Sequence, residues 1–96
     1  MTSKRKAYEE KFDAQLKEWS AELALLNAKA DKAKAEAKIE YHKTIETLQG
    51  KLDAARTKLQ ELRTAGDDAW DDLKKGAEKV WTEGKTAFQS AASRFK

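Results

Sequence analysis

Ninety-six residues, 40% hydrophobic and 39% charged, make one small domain spanning 1–96, too short to bury much of its surface alone. The 20 basic and 17 acidic residues are mixed along the chain to a formal +3, so no basic arm exists to neutralise a run of phosphates, and no nucleic-acid partner is expected. Without cysteine there is no disulfide framework, thiol nucleophile or thiolate zinc site.

Proline is absent, glycine occurs four times, and alanine, lysine, glutamate and leucine dominate, which predicts an all-α chain. From the N-terminus, apolar or small residues recur at Leu16, Trp19, Leu23, Leu26, Ala30, Ala33 and Ala37, three and four apart, so they lie on one helical seam. The seam steps by four through Tyr41 and Ile45 and resumes at Leu48, Leu52, Ala55, Leu59 and Leu62, a stutter that relaxes supercoiling locally. One unbroken first helix is therefore expected over about 4–64, roughly 90 Å long at 1.5 Å per residue. Gly50 is its internal weak point, and a packed seam on both sides absorbs a cost of about 1 kcal/mol.

The stretch "QELRTAGDDAWDDLKK" closes that helix with a turn at 65–68. Gly66 is placed for a left-handed C-cap, Asp67 or Asp68 for the next N-cap, and Asp71 and Asp72 for the first turn of a second helix over about 68–95. Arg94 and Lys96 then sit near that helix's C-terminal carbonyls, matching its macrodipole. A calcium loop would need carboxylates at alternate positions and a closing glutamate, a layout "DDAWDD" lacks.

The second helix carries Leu73, Ala77, Val80, Trp81, Gly84, Phe88, Ala91 and Phe95 on one face. Folding back about Gly66 into a helical hairpin pairs Trp70 with Leu62, Leu73 with Leu59, Val80 with Leu52, Gly84 with Leu48, Ala91 with Tyr41 and Phe95 with Ala37. Its core is then Ile45, Leu48, Leu52, Leu59, Leu62, Trp70, Leu73, Val80, Trp81, Phe88 and Phe95. The hairpin leaves Tyr8, Phe12, Leu16, Trp19, Leu23 and Leu26 uncovered, with Ala30 and Ala33 beyond them. An apolar stripe of that length predicts an antiparallel homodimer or a larger oligomeric bundle.

Residues with chemical potential do not converge. His42 does not share a helical face with both Glu36 and Glu40. The tripeptide "GKT" at 84–86 has Lys79 where a phosphate loop needs glycine, and it falls within a helical pattern. No catalytic residue, metal ligand, cofactor or small-molecule substrate is expected, and the chain reads as a non-enzyme. Its longest apolar run, "LALL" at 23–26, is too short for a signal-peptide core or membrane span, which makes the cytoplasm the expected location.

Trp70 and Trp81 lie eleven apart, and Leu73, Gly84 and Phe95 echo that period, giving a nearly straight apolar stripe suited to a bundle or a bilayer surface. With "EKFDAQLKEWSAELALLNAKADKAKAEAKIEYHKTIETLQGKLDAARTKLQEL", then "AWDDLKKGAEKVW" and "SAASRFK", the chain resembles small bacterial coiled-coil proteins of about this length. That resemblance implies a soluble helical protein and supplies no catalytic residue or cofactor. A looser similarity to late-embryogenesis-abundant and apolipoprotein-like repeats implies stress protection or lipid binding, with a membrane surface as partner. The expected function is a structural or protein-interaction module assembling through the first half of helix one, with membrane binding and filament formation as the alternatives.

Overall fold

The computed structural model describes residues 3–95, and these form three helices: α1 over Ser3–Lys32, α2 over Ala35–Thr64 and α3 over Asp67–Arg94. The all-α expectation holds for the described residues. The continuous first helix does not, because the chain turns back at Ala33 and Lys34, giving a bundle of 51 × 19 × 17 Å instead of a rod of roughly 90 Å. Helix α2 does run unbroken through Gly50, as its flanking seam predicts.

Turning back makes α1 available to its own chain. Its buried residues are Arg5, Glu9, Phe12, Leu16, Trp19, Leu23, Leu26 and Ala30, three and four apart along a single stripe. The apolar ones join Leu48, Leu52, Ala55, Leu59 and Leu62 of α2 and Trp70, Ala77, Phe88 and Ala91 of α3 in one core. Full burial of a leucine or phenylalanine stabilises by about 1.5–3 kcal/mol, so covering this stripe is the main return for bending the chain.

Helix α2 packs closely against both α1 and α3, whereas the α1 and α3 backbones rarely approach one another. Aromatic rings fill the wider gap. Phe12 meets Trp81 edge-on at 4.8 Å, Tyr8 meets Trp70 edge-on at 5.6 Å, and Trp19 stacks on Phe88 at 5.2 Å with planes 3° apart. Gly84 is the exception to the wide spacing, since a Cβ there would lie 2.7 Å from the outermost ring carbon of Trp19.

The chain turns at residues 65–66, shorter than the expected 65–68 because Asp67 and Asp68 are already helical, and the expected register is also corrected. Phe95 stacks on Tyr41 at 4.2 Å, one helical turn from the expected Ala37, and Gly84 receives Trp19. The ion pairs Lys51 to Glu83 and Arg94 to Glu40, both 3.7 Å, follow the observed register at its exposed edge. The rings of α1 enter from a third side and share the core with the α2 leucines, a contribution that a two-helix register leaves out.

The turn chemistry also differs. Gly66 has φ −71° and ψ 161°, and Ala65 is extended, so there is no left-handed C-cap. Gly66 itself occupies the N-cap position of α3, while Asp67 and Asp68 lie in its first turn without capping it. The C-terminal cation Arg94 is in place, and Lys96 lies outside the described residues.

These glycines make opposite predictions. Gly50 has open space where a Cβ would go, so Gly50→Ala should stabilise by about 1 kcal/mol through helix propensity. Gly84→Ala gains the same propensity but drives a methyl into a ring held between Phe88 and Trp81, for a net loss of about 1–3 kcal/mol. Urea unfolding of both variants checks the contrast, and adding Trp19→Phe should recover part of the Gly84→Ala loss.

Candidate interaction surface

The end of the bundle where α1 starts is closed by a polar clasp that the seam spacing contains in plain form. Arg5 and Glu9 continue the stripe of Phe12 and Leu16, so both side chains point into the bundle and need partners there. Arg5 donates from Nε to Glu9 Oε2 at 3.0 Å, and from its two terminal nitrogens to Asp67 Oδ1 at 2.9 Å, the Leu62 carbonyl at 2.8 Å and the Ala65 carbonyl at 2.6 Å. The same Glu9 oxygen accepts from Trp70 Nε1 at 3.1 Å. One guanidinium therefore satisfies the carbonyl end of α2 and reaches the acidic start of α3. A glycine cap had been expected at that carbonyl end. Arg5 and Glu9 are absent from the predicted interface, although their spacing continues its stripe.

Beside the clasp, the Tyr8 hydroxyl is buried without a hydrogen-bond partner among the described residues. Lys74 Nζ lies 5.0 Å from the Tyr8 ring centroid. Burial, with the Glu78 carboxylate second, pushes the Tyr8 hydroxyl from 10.0 up to about 12.

The opposite end has a different character. Leu25 and Ile39 are the large apolar side chains left exposed among the described residues. Leu25 joins Leu26, Leu48, Phe88, Ala92 and Phe95 around an open cleft of about 310 Å³, with Glu22 and Lys29 at its edges. Burial, and then neighbouring Glu18, push the Glu22 carboxyl upward. Lys29 donates to the Phe95 carbonyl at 3.3 Å across the cleft mouth.

The predicted interface residues thus come together, but inside the chain. Phe12, Leu16, Trp19, Leu23, Leu26 and Ala30 are core, Tyr8 and Ala33 are half-buried, and α3 supplies the wall that a hairpin left missing. Of the expected hairpin core, Leu48, Leu52, Leu59, Leu62, Trp70 and Phe88 are buried, while Ile45, Leu73, Val80, Trp81 and Phe95 pack against it from the rim. His42 is exposed, and "GKT" lies inside α3. Among the described residues no three His, Asp or Glu side chains are grouped to hold a metal ion, and no helix is long and apolar enough to cross a membrane.

The chain is a three-helix bundle stapled at one end. No protein-family model, curated protein or solved structure matches it.

Arg5→Ala should cost roughly 3 kcal/mol, because it strands Glu9 and the α2 carbonyls, whereas Asp67→Asn, at an exposed carboxylate, should cost well under about 1 kcal/mol. Urea midpoints at neutral pH separate the two. For Tyr8 the folded chain resists ionisation more than the unfolded chain does, so its stabilising contribution is complete below pH 10.0 and lost as pH rises towards about 12. Tyr8→Phe should therefore lessen the fall in urea midpoint between about pH 9 and about pH 11.

Proposed function

We infer that the chain is a non-enzymatic structural module that works by helix association with a second copy of itself. The supporting observation is that the α1 stripe fits this chain's own α2 and α3 in detail, down to the Trp19 ring on Gly84, so every copy carries both the insert and its receiving surface. Arg5, Glu9 and Trp70 direct their polar ends at one another and at the α2 carbonyls, which closes the bundle. A two-fold, antiparallel arrangement is the simplest closed assembly of such self-complementary surfaces. Sedimentation equilibrium over a concentration series should show the 10.8 kDa chain rising to a fixed multiple of its mass, and a single-chain mass up to millimolar concentration would reject this reading.

A second reading, binding to an anionic membrane surface with a protective role, is favoured by one feature. Exposed Leu25 and Ile39 belong to the stretches of α1 and α2 that flank the corner, which also carry Lys29, Lys32, Lys34 and Lys38. Apolar side chains among lysines suit a surface of anionic head groups. Flotation with phosphatidylglycerol vesicles should then be salt-sensitive and weakened by Leu25→Glu with Ile39→Glu. Recovery equal to that with neutral vesicles removes the reading.

A further inference from the structure

The corner between α1 and α2 has none of the chemistry that normally stops a helix. From Asn27 to Lys38 the sequence is "NAKADKAKAEAK", with no glycine or proline and with alanine and lysine, two of the best helix formers, on both sides of the bend. Lys34 occupies the N-cap position with φ −69° and ψ 157°, and its side chain makes no cap hydrogen bond. The backbone bonds that close the corner are Ala33 N–H to the Ala30 carbonyl at 3.2 Å and Lys38 N–H to the Lys34 carbonyl at 2.9 Å. A continuous helix would instead bond the amides of residues 34–37 to the carbonyls of residues 30–33. The bend is held by the burial of the α1 stripe, with local preference opposing it.

We propose that two copies of this chain exchange α1 by straightening the corner at Ala33 and Lys34, each inserting its α1 into the α2 and α3 surface of the other. The proposal rests on the self-association read above and specifies its route. On exchange, the Trp19 seat on Gly84, the Tyr8 contact with Trp70 and the Arg5 bonds to Asp67 and the α2 carbonyls are remade between chains, so the packed core is conserved. Each corner gains helical hydrogen bonds, and these oppose the entropy of association.

The antiparallel register is compatible with a two-fold axis. Asp13 of α1 lies 3.6 Å from Arg63 of α2, a pairing symmetric about residue 38, so the straightened helices would cross near Ala37. The seam positions there are Ala30, Ala33 and Ala37, of which Ala33 is half-buried and Ala37 exposed in the closed chain. Their small side chains let two helices approach at the crossing.

The test uses Asp13→Cys with Arg63→Cys in a chain that has no other cysteine, joined by a short bismaleimide. In the closed chain the link forms within one molecule, and in the exchanged dimer it forms between two. Covalent dimer should increase with protein concentration on denaturing gels. Ala35→Pro provides the second arm, since residue 35 is the first of α2 and Lys34 before it is already extended, so proline fits the bend. Within a continuous helix, proline lowers the equilibrium by about a hundredfold per corner, which should return the linked protein to single chains. Dimer by sedimentation with links only within chains would overturn the exchange route while leaving self-association standing. A monomer throughout would overturn both, and an Ala35→Pro protein that dimerises as well as the parent would overturn the straightened corner.

Discussion

The seat of Trp19 against Gly84 is the contact on which the bundle depends. Helices α1 and α3 are otherwise held apart by rings along their length, and within the core this is where a ring of one lies against the backbone of the other. A ring gripped by Phe88 and Trp81 above a residue without a side chain fixes both the distance and the axial position of α1. Close packing makes such a contact intolerant of an added methyl, and that intolerance gives one register an advantage over slipped ones.

The two ends of the bundle are stabilised by different physics. At the start of α1, Arg5 ties all three helices through hydrogen bonds assisted by charge in a mostly dry environment, where losing a partner is expensive. At the corner, no side chain caps α2, and a cleft opens beside Leu25 and Phe95. Opening should therefore begin at the corner end, because local stability follows the density of buried contacts and satisfied backbone groups. In the exchange proposed above, this gradient places the first opening at the corner that has to straighten.

Much of the core was legible before folding was considered. The three-and-four spacing from Phe12 to Ala30 and from Leu48 to Leu62 identifies the buried faces, and the aspartates after Gly66 mark where α3 starts. Arg5 and Glu9 were also legible by position, since they extend the same stripe two steps towards the N-terminus, Glu9 three residues before Phe12 and Arg5 four before Glu9. Their role was not, because a charge on an apolar face has meaning only when its partners are known, and Leu62, Ala65 and Asp67 lie about sixty residues away.

The corner shows where local reasoning ends. Alanine and lysine around residues 33–34 favour helix, and the shift in seam phase through Tyr41 and Ile45 reads equally as a stutter or as the start of a new packing face. The sequence by itself determined that the chain is helical, which face of each helix is apolar and where α2 ends, because these follow from propensity, periodicity and turn residues acting over a few positions. Only the tertiary structure decided that the stripe of α1 is covered by its own chain. That choice sets the burial of a whole helix face, worth many kcal/mol, against a few backbone hydrogen bonds at one bend, a balance no local pattern records.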